Sequence, residues 1–320
     1  MIQKNDFNNW RARAPANRVG LLLAGGDGAR LQELTKELTG TPIPKQYCRL
    51  IGNSSLLQST LSRIHLFAPW RRISVVINKN HLEMAGKQLR SLKESNIYIQ
   101  PKNLDTGPGI VFALLRLVES YPDSIVIVSP TDHYINDGRA FIAHTLRAAN
   151  LVSFMPDKIA ILGIVPDRPD PGYGYILPDK SIDNTKEAYL VKAFTEKPSV
   201  FTAREIIDRG GLWNTLVMVF KLSRMLDLLR EFVLKEFGEL TVLRKSPEKA
   251  EEVYRDLRPW NFSNLLLARI PQHMIMLKVT DIQWSDWGTR ESIERTYKTL
   301  YQVPFWNLPE QVAGTSTSLA

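Results

Sequence analysis

Short apolar runs alternate along the chain with stretches whose apolar residues return every three or four positions. Val19 to Leu23, Ile73 to Ile77, Ser124 to Val128 and Ile159 to Val165 have the length and apolar content of buried strands. Ile97 to Gln100 is a shorter one. Between them, Leu56, Leu57, Leu61, Ile64 and Phe67 keep a helical period behind a Ser-rich start at 52–55. Leu82 to Leu92, Pro108 to Val118 and Ala140 to Leu151 are further helix candidates, the second with a proline near its first turn. Strand, helix, strand, helix predicts a mostly parallel α/β sheet with right-handed crossovers and helices on both faces. Ligands in such sheets collect at the carboxyl ends of the strands. Three loops fall there, after Leu23, after Gln100 and after Val128.

Beyond Val165 the pattern changes. Pro and Gly are dense through Pro178, Tyr189 to Thr195 is extended, and Leu212 to Phe220 reads as a strand. Helices follow from Ser223 to about Arg258, then a strand at Met274 to Val279, a loop at Trp284 to Gly288, and a helix from Arg290. This predicts a smaller antiparallel lobe. One domain over 18–300 is expected, with halves meeting near 165/166, a polar arm over 1–17 and a tail over 301–320.

Composition narrows the class. The 320 residues are 44% hydrophobic and 23% charged, ordinary for a globular chain with a sizeable core. No apolar run approaches a membrane span and no apolar signal core opens the chain, so no membrane partner is expected. One cysteine, Cys48, rules out an internal disulfide and a cysteine-rich metal site, and makes a reducing cytoplasm the expectation. The net charge of +8 suits an anionic ligand, but Lys and Arg are spread out. Without a basic stripe interleaved with aromatics, no nucleic-acid partner is expected.

Chemistry enters at the end of the first strand. Leu23-Ala24-Gly25-Gly26-Asp27-Gly28-Ala29-Arg30-Leu31 turns an apolar run into a glycine-rich loop, with Lys45 after a second loop. Glycines let a ligand approach the backbone, and exposed amides beside two cations suit a polyanion such as a triphosphate. A tight strand-to-helix turn is the plainer alternative. A dinucleotide fingerprint fails, because Leu31 stands where its third glycine belongs and the next strand runs into Asn78 rather than an acid. A Walker loop fails for want of Gly-Lys-Ser/Thr. Two acidic loops, Ser129-Pro130-Thr131-Asp132-His133 and Trp284-Ser285-Asp286-Trp287-Gly288, stand out; Asp132, at a strand's end, is a candidate metal ligand or a turn cap, and Asp286 lies in a turn among aromatics.

The ordered set Leu23 to Leu31, Leu34-Thr35 and Pro44-Lys45-Gln46 resembles the sugar-nucleotide pyrophosphorylase family, and Pro101 to Pro108 resembles its mannose-1-phosphate guanylyltransferase branch. The resemblance runs from about Val19 to Glu294. It implies a three-layer, Rossmann-like (GT-A-like) fold, with a nucleotide half at about 18–165 and a sugar-phosphate half at about 166–300.

The resemblance also implies site residues. Leu23, Gly25, Gly26, Gly28, Arg30, Asp105 and Thr106 would bind the nucleotide, with Asp105 standing where the branch has Asn. Gly174, Glu196, Lys197 and Asn214 would bind the sugar phosphate, and Asp132 and Asp286 would hold Mg²⁺. Arg30 and Lys45 complete the catalytic set. Leu216 stands where the family usually has glycine. The implied reaction joins a nucleoside triphosphate, GTP first, to a sugar 1-phosphate, mannose 1-phosphate first, giving GDP-mannose and pyrophosphate. A glucose-1-phosphate enzyme and a non-catalytic nucleotide-binding relative are the alternatives. A homo-oligomer stays open.

Overall fold

The computed structural model describes residues 17–307. The expected arm over 1–17, Asn17 apart, and the expected tail past residue 307 lie outside the described residues. Eleven strands are formed within them: β1 (Arg18–Leu23), β2 (Ile73–Asn78), β3 (Ile97–Gln100), β4 (Ile125–Pro130), β5 (Tyr134–Ile135), β6 (Ile159–Ile164), β7 (Gly174–Ser181), β8 (Ala188–Glu196), β9 (Leu212–Lys221), β10 (Met274–Val279) and β11 (Trp284–Ser285).

Nine of them make one mixed sheet in the order β3-β2-β1-β4-β9-β6-β10-β8-β7, with β7 also touching β9. β1 pairs parallel with both β2 and β4, β2 with β3, and β6 with β10. β9 enters antiparallel between β4 and β6, and β7 and β8 extend the same sheet as an antiparallel ladder. The strands after residue 165 are therefore continuous with the earlier ones.

Side chains alternate across a strand, so one strand feeds two cores. Val19 and Leu21 of β1, with Val126 and Val128 of β4, face the core containing helix Thr106–Ser120. Leu22, Ile125 and Ile127 face the other, packed under helices Leu56–His65 and Gly138–Phe154. Ser55 caps the first of these in a capping box with Gln58, and Asp137 caps the second. A third, smaller core joins Leu31, Leu34, Cys48, Leu50, Tyr134, Trp287, Ile293 and Tyr297. It anchors the glycine loop's exit, β5 and helix Arg290–Thr299 to one another. The loops after β1, β3 and β4 emerge side by side at the same end of the sheet, because these strands and β2 run parallel. Among the described residues, no helix is long and apolar enough to cross a membrane.

Candidate active site

The glycine loop leaves β1 with its carbonyls already engaged from behind. Asn78 Nδ2 donates to Gly25 O at 2.6 Å, and Gln46 Nε2 donates to Gly26 O at 2.7 Å. Tyr47 donates through its hydroxyl to Ala24 O at 3.1 Å. Thr131 Oγ1 donates to Leu23 O at 2.9 Å, tying the loop to the one that carries Asp132. With the carbonyls held, the amides of Gly26, Asp27 and Gly28 have no protein acceptor among the described residues. Gly28 sits at φ 62°, where a side chain is strained, and its backbone lies against Pro44 and Lys45.

Asp27 fastens this loop sideways. Its carboxylate accepts from Asn78 Nδ2 at 3.1 Å and from Asn103 Nδ2 at 2.8 Å, and faces His81 Nε2 at 3.4 Å. Burial pushes the His81 ring down, and Asp27 offsets this only in part. Asn103 belongs to the loop after β3. There Asp105, at φ 68°, caps helix Thr106–Ser120 through Thr106 N at 2.6 Å and accepts from Asn261 Nδ2 at 3.1 Å. The Thr106 hydroxyl accepts from Phe262 N, which ties that segment to the start of the helix.

The two acidic loops are brought together by the smallest ladder in the fold. β11 pairs antiparallel with β5, Trp284 opposite Ile135 and Ser285 opposite Tyr134. Asp132 lies just before one strand and Asp286 just after the other. The Lys45 ammonium lies where the two loops converge, 3.3 Å from Asp132 Oδ2, donating to the main-chain oxygens of Asp286 and, at 3.0 Å, Trp287. It is buried there. Arg30 is two-thirds exposed, with Nη2 3.8 Å from Asp286 Oδ2. Burial pushes the Asp132 carboxyl up, but Lys45, His133 and a hydrogen bond from Lys45 outweigh it and hold the group below the ordinary carboxylate range.

A second cluster forms on the antiparallel strands. Gly174 of β7 is opposite Glu196 of β8, and an added Cβ on Gly174 would come 2.5 Å from Glu196 Oε2 and 3.3 Å from Asn214 Cβ. Glycine is what lets these three positions approach. Glu196 Oε2 is buried with no hydrogen-bond partner, although buried polar atoms are rarely left so. Burial pushes the Glu196 carboxyl up; Lys197 offsets this in part and Asp105 adds to it. Lys197 is exposed, with Nζ 3.9 Å from Glu196 Oε1. Asn214 accepts from Leu216 N at 2.8 Å. Leu216 takes φ 55°, which accounts for a preference for glycine at that position, and the β6–β9 register shifts nearby, between Ile161 and Gly163.

The sequence motifs thus fall into two neighbouring clusters at the loop ends. Asp27, Asn78, His81, His133 and Tyr173 were not singled out from sequence, yet they hold the named residues in place. Asp27, His133 and Tyr173 lie inside motifs read from sequence but were given no role there, and Asn78 and His81 find partners distant in the chain.

Residues 19–302 match the model of the family described as Nucleotidyl transferase. The chain belongs to the nucleotidyl transferase family. Among relatives of this nucleotidyl transferase is the xanthan biosynthesis protein XanB of Xanthomonas campestris, 37% identical over 215 residues, covering 66% of the chain and 44% of XanB. The alginate biosynthesis protein AlgA of Pseudomonas aeruginosa is 32% identical over 216 residues, covering 67% of the chain and 44% of AlgA. A mannose-1-phosphate guanylyltransferase of Escherichia coli is 28% identical over 300 residues, covering 86% of the chain and 60% of that protein. The chain spans about half the length of the relatives it matches. A solved structure from Thermus thermophilus, described as a mannose-1-phosphate geranyltransferase, superposes with a TM-score of 0.76 at 23% identity, over 88% of this chain and 79% of that one. That likeness is one of fold.

Proposed function

We propose that this nucleotidyl transferase joins GTP to mannose 1-phosphate, giving GDP-mannose and pyrophosphate. The observation that carries the proposal is Lys45, whose ammonium lies against the Asp132 carboxylate and the Asp286 main chain and so draws the two acidic loops together, beside a glycine loop with unengaged amides. Names among the relatives support the choice of sugar and base.

In this reading an oxygen of the sugar 1-phosphate attacks the α-phosphorus of the triphosphate. The bond from that phosphorus to the bridging oxygen breaks, and pyrophosphate leaves with the electron pair. The nucleophile is already ionised, so no strong base is needed. The difficulty is to bring two polyanions together. The Gly26 to Gly28 amides and Arg30 would cradle the departing phosphates. Lys197 would take the incoming phosphate, while Glu196 and Asn214 would accept from sugar hydroxyls. The unpartnered Glu196 Oε2 fits that task. Asp105 would accept from the N1–H and N2–H of guanine.

Asp132 and Asp286 would hold the divalent cation, Mg²⁺. Two carboxylates fit a hard ion that completes its shell with phosphate oxygens and water, and an ammonium already lies against Asp132 in this structure. When bound, the ion neutralises charge between the two phosphates. Lys45 would act on the leaving pyrophosphate only after giving up its present contacts. Orientation contributes about 7–11 kcal/mol to lowering such barriers.

A matrix of nucleoside triphosphates against sugar 1-phosphates, read by pyrophosphate release, tests the proposal. GTP with mannose 1-phosphate is expected to be fastest. Glucose 1-phosphate with another triphosphate would reassign the substrates, and no release with any pair would leave a binding protein.

A further inference from the structure

The Asp286 carboxylate has a donor that the reaction above does not use, and the Asp132 carboxylate has an imidazole beside it. Tyr173 donates through its hydroxyl to Asp286 Oδ1 at 2.8 Å, and Gly288 N donates to the same oxygen at 3.0 Å. The other oxygen, Oδ2, faces Arg30. On the opposite loop, Trp284 Nε1 donates to His133 Nδ1 at 3.3 Å. An indole N–H can only donate, so His133 Nδ1 carries no hydrogen and the ring hydrogen lies on Nε2. That nitrogen is 3.6 Å from Asp132 Oδ1, while Asp132 Oδ2 faces Lys45. Asp286 is therefore held by Oδ1 and turns Oδ2 to Arg30, while Asp132 turns Oδ2 to Lys45 with the His133 ring beside its Oδ1, beyond hydrogen-bond reach.

The donors are themselves locked. Tyr173 and Trp284 are buried, with ring centroids 5.4 Å apart. Trp213 packs on Tyr173 at 4.6 Å, and the His133 ring meets Trp284 edge-on at 5.1 Å. This aromatic block spans both acidic loops and leaves the hydroxyl and the imidazole little rotational freedom.

We infer that Tyr173 is a positioning residue, holding Oδ1 of Asp286 so that Oδ2 faces the divalent cation. The inference rests on the reading that these carboxylates bind the ion. Partners behind metal ligands commonly change metal affinity by about 10- to 100-fold when removed.

The test is Mn²⁺ binding to the full chain, read from the electron paramagnetic resonance signal of free Mn²⁺. Tyr173→Phe is expected to weaken binding by about 10-fold or more, and the rate it loses should return as Mg²⁺ is raised. Tyr175→Phe is the control. It removes a hydroxyl of similar burial that binds Asp170 and Trp213 rather than a carboxylate, and should leave affinity within about twofold. Tyr173→Phe binding Mn²⁺ like the parent, or Tyr175→Phe weakening it equally, overturns the assignment. Should the parent bind no Mn²⁺, or Asp286→Asn bind it unchanged, the metal reading fails first and takes this inference with it.

Discussion

Replacing Gly174 by alanine separates sugar recognition from folding. The added Cβ would lie 2.5 Å from Glu196 Oε2, where ordinary contact begins near 3.4 Å, so the carboxylate must retreat by roughly 1 Å. That oxygen ends a rotatable side chain, so the cost to the fold should sit at the low end of overpacking, about 1 kcal/mol. On the proposed reading, retreat removes a hydrogen bond between a charged acceptor and a sugar hydroxyl, worth about 1.5–3 kcal/mol. Mannose 1-phosphate should then bind about 10- to 150-fold more weakly. Calorimetric titrations with mannose 1-phosphate and with GTP, beside a thermal melt, measure all three quantities. Unchanged sugar-phosphate affinity would remove Glu196 from the sugar pocket. Equal losses for both ligands would point to general loosening instead.

Asp286→Asn should reduce pyrophosphate release to background while the melting temperature holds, since it removes a proposed ligand and keeps the shape; near-parental turnover refutes the metal assignment. Gly28→Ala forces a side chain into φ 62° with its Cβ 3.2 Å from Lys45 N. It should cost about 1–2 kcal/mol of stability and weaken GTP binding, and a variant that melts and binds like the parent would show the loop to be tolerant. The folded chain holds the Glu196 proton more tightly than the unfolded one. That contribution to stability is present below the ordinary glutamate value of 4.5 and is lost as pH rises through the raised folded value. Calorimetric melts across this range should show Glu196→Gln gaining on the parent as pH climbs, and a constant gap would contradict the burial argument.

The elements of the first half were legible because each is a local pattern. Ile73 to Ile77 and Ser124 to Val128 fall within one residue of β2 and on or just before β4, and the Ser55 cap stands where the Ser-rich start placed it. The placement of β9 was not legible. Its alternation marks it as a strand, but which neighbours it takes depends on pairings across nearly the whole domain. The same holds for β5 and β11, each too short to give a period. Lys45 was legible as a cation but not as a buried one, because its partners come from the far end of the chain. The left-handed backbone at Leu216 left one trace in sequence, a bulky residue where a glycine is usual.

The two-residue ladder between β5 and β11 also bears on how the molecule is made. It closes a separation of about 150 positions, and Lys45 reaches Asp286 across 241. Contacts so distant along the chain are late events, since most of the loop entropy must be spent before any reward returns. A chain still emerging from the ribosome gains the backing of its glycine turn in stages, Asn78 first and then Asn103 and Thr131. It cannot pair its two carboxylates until residue 286 has been synthesised. The two acidic loops thus meet only after most of the described fold has been made, and a chain ended before residue 286 lacks the second of them.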